Sequence, residues 1–149
     1  MMTDPEIIDR LSKGPFFQGM EELELEELAN LDDHIMEYYK GEVVIRQGEI
    51  DRAFFIVLEG SLSVTRNKPP EVFLAHLVPG SLFGELSLRA DRARTISVIS
   101  DDESLAYMVD QDLLDVASPS VTTKIKDRII DHLITRLDDL NNKLVNFVR

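Results

Sequence analysis

Short apolar segments separated by glycine and proline fill residues 34–110, and they restrict the fold more than any other feature of the chain. They recur at intervals of roughly ten residues, which is typical of a β-sandwich or jelly roll. One segment alternates apolar and polar residues as a half-buried strand does, and another is apolar throughout, as in a buried strand. The predicted strands are His34–Tyr39, Val43–Ile45, Ala53–Leu58, Ser61–Thr65, Val72–Leu77, Thr95–Ile99 and Leu105–Val109.

Helices are predicted before this β-rich region. Thr3 and Glu6 have the spacing of a capping box, which favours a short helix over Pro5–Leu11. A second helix is predicted over Glu21–Leu31, with its glutamates facing water. The apolar side of that helix is expected to consist of Leu23, Leu25, Leu28 and Leu31.

More helix is predicted after the β-rich region. A short helix is expected over Asp110–Ala117, and Ser118 with Pro119 then begins a long helix towards the C-terminus. Apolar residues in that helix follow a heptad spacing, at Ile130, Leu133, Leu137, Leu140, Leu144 and Phe147. We therefore predict one mainly β domain, 1–149, made of N-terminal helices (1–32), a jelly-roll β-sandwich (33–110) and C-terminal helices (111–149).

The charge balance excludes several function classes. The net charge is −12, whereas a protein that contacts DNA or RNA directly normally presents a basic face.

The chain has no cysteine, which excludes disulfides, thiolate zinc sites and cysteine nucleophiles. It also lacks a long apolar run and a signal-peptide pattern. We expect a soluble cytoplasmic protein that binds neither nucleic acid nor membrane.

Catalytic chemistry is not indicated by the sequence. His34, His76 and His132 are far apart in sequence, and no His-x-His pattern is present, so no metal site is expected. The chain contains neither a nucleophile-elbow motif nor a Walker-type loop. We therefore expect a binding protein rather than an enzyme.

The strongest candidate for a ligand site is the stretch 82–97. Gly84 allows close approach of the backbone to a ligand, and the helix-compatible run after it offers amide donors. Arginine forks from Arg89, Arg92 or Arg94 suit the geometry of a phosphate. Glu85 would accept a hydrogen bond from a sugar hydroxyl beside that phosphate. Together these residues describe a pocket for a sugar phosphate.

The run Phe83–Leu88, followed by Arg94 nine positions after Glu85, resembles the phosphate-binding cassette of cyclic nucleotide-binding domains. The resemblance implies that Glu85 holds the ribose 2′-hydroxyl and that Arg94 holds the cyclic phosphate. We expect the Arg94 side chain to serve the ligand rather than the fold, so that Arg94→Ala weakens binding and leaves the fold intact. The full set of residues expected to bind the ligand is Phe83, Gly84, Glu85, Leu86, Ser87, Arg94 and Thr95.

The resemblance extends over about residues 15–140. Gly41, Gly48 and Gly60 match the corner glycines of the family's β-roll, where a positive φ is needed. The match departs in the loop Arg89–Ala93, which is more basic than usual, and at Ile96, where the family has a small residue.

The resemblance implies a non-catalytic receptor for cyclic AMP or cyclic GMP, with no other cofactor. The chain is similar to the effector domain of Crp/Fnr-type regulators, and it ends where their helix-turn-helix would begin. In such regulators the C-terminal helix covers the nucleotide and pairs two subunits, so a homodimer is expected. Thr95 permits cyclic GMP, but we favour cyclic AMP because single domains of this type usually resemble cyclic AMP receptors.

Three alternatives stay open at this stage. The first is a Crp/Fnr-like transcriptional regulator that acts through a separate partner protein. The second is a degenerate site in a fold that serves as a dimerisation or protein-interaction module. A sugar-phosphate enzyme is the third, although no general base beside Arg94 is visible in the sequence.

Overall fold

The computed structural model describes residues 4–67, 72–85 and 92–147 of the 149-residue chain. Two compact units are distinguished, Met1–Ala117 and Ser118–Arg149. In the described residues, the first contains the strands, three α-helices and two 3₁₀ turns, and the second is a long helix.

Eight strands form two antiparallel four-stranded sheets in the first unit, which confirms the predicted jelly-roll class. The strands are β1 (Ile35–Tyr38), β2 (Val43–Ile45), β3 (Phe54–Glu59), β4 (Leu62–Arg66), β5 (Val72–Leu77), β6 (Leu82–Phe83), β7 (Ser97–Ser100) and β8 (Ser104–Val109). Their order is β1-β8-β3-β6 in the first sheet and β2-β7-β4-β5 in the second sheet. The very short β6 was not predicted as a strand, because two residues carry no periodicity.

The main core lies between the two sheets. Phe55 and Val57 of β3 are buried there, together with Val64 of β4 and Val98 of β7. Alternate residues of one strand point to opposite faces of a sheet, so the neighbours of Phe55 and Val57 face the other way. Those neighbours are also buried, which accounts for the uninterrupted apolar run of β3.

Aromatic residues fill this second face of the first sheet. Phe16 and Phe17, in a 3₁₀ turn over Pro15–Phe17, pack on Phe54 and Tyr107 with ring centroids 6.0 and 5.8 Å apart. The Tyr107 hydroxyl donates a hydrogen bond to the carbonyl oxygen of Leu28 at 2.8 Å. Burial, aided by the nearby Glu27 charge, raises the pKa of Tyr107, so the phenol is a neutral donor at physiological pH.

The two N-terminal helices, α1 (Asp4–Lys13) and α2 (Glu22–Ala29), lie close to the predicted ranges. Within α2 the predicted faces are wrong at two positions. Leu23 is 75% exposed, whereas Glu24 is buried. Glu24 turns towards the helix start because its carboxylate accepts a hydrogen bond from the Glu21 amide at 2.8 Å in the capping box. Leu23 is two positions before the buried Leu25, so helical spacing places it on the opposite side of α2.

The helix after β8 is α3 (Gln111–Val116). Asp110 is its N-cap, and the carboxylate accepts a hydrogen bond from the Leu113 amide at 2.9 Å. The predicted short helix is therefore confirmed, with Asp110 and Ala117 as its flanking residues.

The second unit consists of α4 (Pro119–Phe147). The amide of Thr122 donates to the carbonyl of Ser118 at 3.0 Å, as expected when Ser118 precedes the first turn. Several heptad residues are more than half exposed, namely Ile130, Leu137, Leu140, Leu144 and Phe147. Among the described residues, no helix has the length and apolar content needed to span a bilayer.

Candidate functional site

The site begins where β6 ends. β6 pairs with β3 through Phe83↔Phe55 and Leu82↔Ile56. The Phe83 ring is buried and stacks on Phe55 at a centroid distance of 5.1 Å. The Phe83 side chain therefore belongs to the core, and the strand positions the two residues that follow it, Gly84 and Glu85.

Gly84 has a left-handed backbone conformation, with φ of +85°. A Cβ atom at this position would lie 3.0 Å from Nη1 of Arg94 and 3.1 Å from the carbonyl oxygen of Ala53. Both distances are tighter than ordinary contacts, so glycine is required for conformation and for space. This close approach brings the cassette backbone against Arg94.

The Arg94 guanidinium is almost fully buried, with its side chain 3% exposed. Nη1 donates to the Gly84 carbonyl at 2.9 Å, and Nε donates to Oδ2 of Asp51 at 3.0 Å. Nη2 donates to Oδ1 of Asp51 and to the Ala53 carbonyl. Four of the five N–H donors that a guanidinium carries are thus used by the protein itself. The expectation that Arg94 serves only a ligand is therefore wrong, since the side chain also ties β6 to the segment before β3.

Asp51 is the partner that the sequence did not reveal. Burial alone would raise the pKa of this carboxyl, but hydrogen bonds from Arg94 and Ala53 and the Arg94 charge outweigh it, so the pKa is lowered. The Ala53 amide donates to Oδ1 of Asp51 at 3.2 Å, a local Asp turn that the sequence could have indicated. The ion pair with Arg94, 43 residues further on, leaves no pattern in sequence spacing.

Backbone hydrogen bonds fix the position of Arg94. Its amide donates to the carbonyl of Glu49, and its carbonyl accepts from the amide of Gly48, both at 2.8 Å. An isolated antiparallel bridge joins Ile50 to Ala93 beside them. The turn after β2 and the segment before β7 therefore form a short ladder that carries the guanidinium to the end of β6.

The remaining predicted site residues take different positions. Glu85 follows Gly84 directly and is 8% exposed. Thr95 is exposed, and Ile96 packs partly buried against the core. Leu86 and Ser87 lie outside the described residues. The structure thus places Arg94 against Gly84, with Glu85 the next residue along the chain.

A cavity of about 570 Å³ lies elsewhere in the first unit, between the start of β1 and α3. Its many carboxylates would repel a phosphate, so it does not suit a nucleotide. In the described part of the chain, no three or more histidine, aspartate or glutamate side chains are arranged to hold a metal ion. The cavity is lined by Asn30, Leu31, Asp32, Asp33, His34, Met108, Asp110, Asp112 and Val116.

Comparison with known families decides what this arrangement is. The model of the cyclic nucleotide-binding domain family matches residues 35–117, which contain both sheets, Gly84, Glu85 and Arg94. The chain belongs to the cyclic nucleotide-binding domain family. This domain matches solved structures as well: it superimposes on the Thermus thermophilus catabolite activator protein with a TM-score of 0.72 and 23% identity, covering 88% of this chain and 62% of that one.

Relatives of this cyclic nucleotide-binding domain include a cGMP-dependent protein kinase and a regulatory subunit of a cAMP-dependent protein kinase. The chain is 26% identical over 149 residues to a Drosophila melanogaster cGMP-dependent protein kinase (isozyme 2, forms cD5/T2), covering 96% of this chain and 14% of the kinase. It is 39% identical over 92 residues to the cAMP-dependent protein kinase regulatory subunit of Mycosarcoma maydis, covering 57% of this chain and 18% of that protein. The chain thus spans less than a fifth of these relatives.

Proposed function

We propose that this domain binds a cyclic nucleotide, with cyclic AMP favoured over cyclic GMP, as a non-catalytic signalling receptor. The observation that carries the proposal is the convergence of Glu85 and Arg94 at Gly84, where Nη1 of Arg94 donates to the Gly84 carbonyl at 2.9 Å. Arg94 would supply positive charge to the cyclic phosphate, and Glu85 would accept a hydrogen bond from the ribose 2′-hydroxyl. The cassette amides around Leu86 and Ser87, together with Thr95, would complete the ligand contacts.

The mode of phosphate binding follows from the hydrogen bonds of Arg94. One N–H of the guanidinium, on Nη1, is not used by Asp51, Gly84 or Ala53. A phosphate would take this donor or compete with the Asp51 carboxylate and the two carbonyls for the others. Asp51 therefore fixes the orientation of the guanidinium. It also lowers the net affinity for a phosphate that has to displace the Asp51 carboxylate from Arg94.

The output is proposed to run through α4, as a homodimer or towards an effector protein. A ligand shifts an equilibrium between two arrangements only as far as its affinities for them differ. A regulatory role is supported by two relatives, a cGMP-dependent protein kinase and the regulatory subunit of a cAMP-dependent protein kinase.

A second candidate function is a degenerate domain that serves dimerisation without a ligand. The observation that favours it is the burial of Arg94, whose side chain is 3% exposed and is held by three protein groups. In that case Arg94 is a structural crosslink only, and the exposed stripe of α4 is the functional surface.

Calorimetric titration with cyclic AMP and cyclic GMP separates the two functions. Saturable binding of either nucleotide supports the receptor, and tighter binding of cyclic AMP supports the preference. No heat and no shift in melting temperature at millimolar concentrations of both would rule out the receptor and leave the dimerisation module.

The role of Glu85 gives a sharper test, because Glu85→Gln keeps the shape of the side chain. A hydrogen bond to a charged group contributes about 1.5–3 kcal/mol, so the variant should bind cyclic AMP roughly ten- to a hundredfold more weakly. The affinity for 2′-deoxy cyclic AMP should change little. The control Glu22→Gln, at an exposed position of α2, should bind both as wild type does. An equal loss of affinity for cyclic AMP and for 2′-deoxy cyclic AMP in Glu85→Gln would contradict the contact with the 2′-hydroxyl.

A further inference from the structure

Basic residues are concentrated in one part of this acidic chain. The stretch 46–94 contains seven basic and six acidic residues, a net charge of +1. The rest of the chain carries nine basic and 22 acidic residues, a net charge of −13. The proposed ligand site therefore lies in a long stretch that is not acidic, within a chain that is acidic as a whole.

Two of these basic residues, Arg46 and Arg66, lie at one end of the second sheet. Arg46 directly follows β2 and Arg66 ends β4. Both lie at the end where β7 begins, because Ile45 pairs with Val98 and Thr65 pairs with Ser97. β7 begins three residues after Arg94, so the same end adjoins the proposed phosphate site.

The opposite end of this sheet is acidic. Glu42 precedes β2, and its carbonyl accepts a hydrogen bond from the Ser100 amide at 2.8 Å. Asp101, Asp102 and Glu103 follow β7, and the Asp101 amide donates to Ser61 at 2.9 Å. The second sheet is therefore electrically polarised, with arginines at the cassette end and carboxylates at the other.

Side-chain contacts hold the cationic end together. The Asn67 amide donates to Oε1 of Gln47 at 2.7 Å, and Nε2 of Gln47 donates to the Asn67 carbonyl at 3.3 Å. These bonds join the residues next to Arg46 and Arg66, and the Ile50↔Ala93 bridge brings the neighbour of Arg92 to the same turn.

The charges at this end are accessible to solvent. Arg46 is 62% exposed and lies 3.5 Å from Oε1 of Glu49. Arg66 and Arg92 are exposed, and neither is ion-paired with a carboxylate of the described residues. These two arginines therefore contribute a positive potential that no described partner cancels.

We infer that this cationic end, formed by Arg46, Arg66 and Arg92, steers an anionic ligand to Arg94 and speeds its association. The inference rests on the proposed function, since it takes the ligand to be a cyclic nucleotide. A local field of one sign raises the rate of encounter with an opposite charge, within the roughly 8 Å screening length at physiological salt. Without it, a chain of charge −12 repels an anion.

The sign of the salt dependence tests the inference on the unaltered protein. The probe is cyclic AMP with a fluorophore on its base, mixed with protein in a stopped-flow instrument over a range of sodium chloride concentrations. If the net charge governs encounter, salt screens repulsion and the association rate rises. If the cationic end governs encounter, salt screens attraction and the association rate falls, which is the result we expect.

Charge reversal at the two unpaired arginines tests the same point. The variant Arg66→Glu with Arg92→Glu should associate about three- to tenfold more slowly at low salt, with a dissociation rate within twofold of wild type. The difference should vanish near 0.5 M salt, where the screening length is about 4 Å. The matched control, Lys13→Glu with Lys40→Glu, makes the same change in net charge at exposed positions away from the site, and should associate nearly as wild type does.

The outcomes separate this inference from the proposed function. Steering is overturned if the association rate of wild type rises with salt, or if both double variants associate more slowly than wild type by the same factor. Either result leaves the proposed nucleotide site standing. An unchanged dissociation rate shows that the site is folded in each variant. If wild type does not bind the probe at any salt concentration, the proposed function fails and steering of a nucleotide fails with it.

Discussion

At the scale of single residues, the candidate site depends on an ion pair between the buried Arg94 and the partly exposed Asp51. Arg94 and Asp51 are joined by two hydrogen bonds, one of them 3.0 Å long, and the Arg94 side chain is 3% exposed. Removing Asp51 leaves the buried Arg94 charge without its compensating carboxylate, which is costly. Asp51 is therefore a positioning residue for Arg94 and a contributor to stability.

This pair gives the protein a defined response to acid. The pKa of Asp51 is lowered in the folded state, so its stabilisation is complete above the unfolded value near 4 and is lost as the pH falls through the folded value. Asp51→Asn should lower the free energy of unfolding at pH 7, and the difference from wild type should shrink below about pH 4. Urea unfolding at several pH values between 7 and 2.5 measures both effects.

A matched variant distinguishes this effect from a general loss of acidic charge. Asp33→Asn changes an exposed aspartate outside the site and should leave the stability near wild type throughout the same pH range. If Asp51→Asn differs from wild type by the same amount at every pH, the carboxylate is not the source of the stabilisation.

At the scale of elements, turns with left-handed glycines determine how the strands connect. Gly60, between β3 and β4, has φ of +90° and packs against the turn before β8. Ser104, the first residue of β8, accepts a hydrogen bond from the Ser61 amide at 3.2 Å, and its hydroxyl donates to the Asp102 carbonyl at 3.0 Å. The two turns therefore form one packed unit at this edge of the roll.

Substitution of Gly60 tests this packing. A Cβ atom at Gly60 would lie 2.5 Å from the Glu103 carbonyl oxygen and 2.7 Å from Cα of Ser104, so the backbone itself must move. Gly60→Ala should lower the free energy of unfolding by about 2–4 kcal/mol, measured by urea unfolding.

Gly41 provides the control for this substitution. Its φ is +89°, and no atom lies within 4 Å of the position of an added Cβ. Gly41→Ala should therefore show only the conformational cost, about 1–2 kcal/mol. An equal loss of unfolding free energy in Gly60→Ala and Gly41→Ala would mean that the close contact with Glu103 and Ser104 adds nothing to the cost of the Gly60 substitution.

At the scale of the whole molecule, α4 presents apolar residues to solvent. Leu137 is 59% exposed, Leu144 is 61% exposed and Phe147 is 87% exposed. An exposed apolar stripe of this kind marks a site of association, and its heptad spacing suits a second copy of the same helix. We therefore predict that the protein is a homodimer through α4.

The prediction is tested by placing charge in the stripe. Leu137→Asp with Leu144→Asp should give a monomer in sedimentation or light scattering at tens of micromolar, while the circular dichroism of the β-roll is retained. If α4 also relays the ligand state, this monomer should bind cyclic nucleotide more weakly, because coupling between binding and association is reciprocal.

The same charge on the other side of the helix serves as the control. Thr135→Asp with Asn142→Asp alters exposed polar positions that helical spacing places opposite Leu137 and Leu144, and should remain dimeric. A monomeric wild type would disprove the dimer. An unchanged nucleotide affinity in the monomeric variant would keep the dimer and remove the relay through α4.

The sequence by itself determined the features that depend on near neighbours. The turn glycines Gly41, Gly48 and Gly60 all have the positive φ that was predicted, because only glycine adopts this conformation without cost. The cap of α3 at Asp110 and the buried run of β3 follow from local spacing in the same way. The family was also readable, since Gly84, Glu85 and Arg94 lie in one short stretch.

Only the tertiary structure decided what depends on contacts between distant segments. The pairing of Asp51 with Arg94 follows from the ladder between the turn after β2 and the segment before β7, and no sequence spacing encodes that ladder. The same holds for Phe83, whose ring enters the core because β6 pairs with β3. The sequence expresses backbone preference and periodicity over a few residues, whereas burial and ion pairing depend on which strands become neighbours.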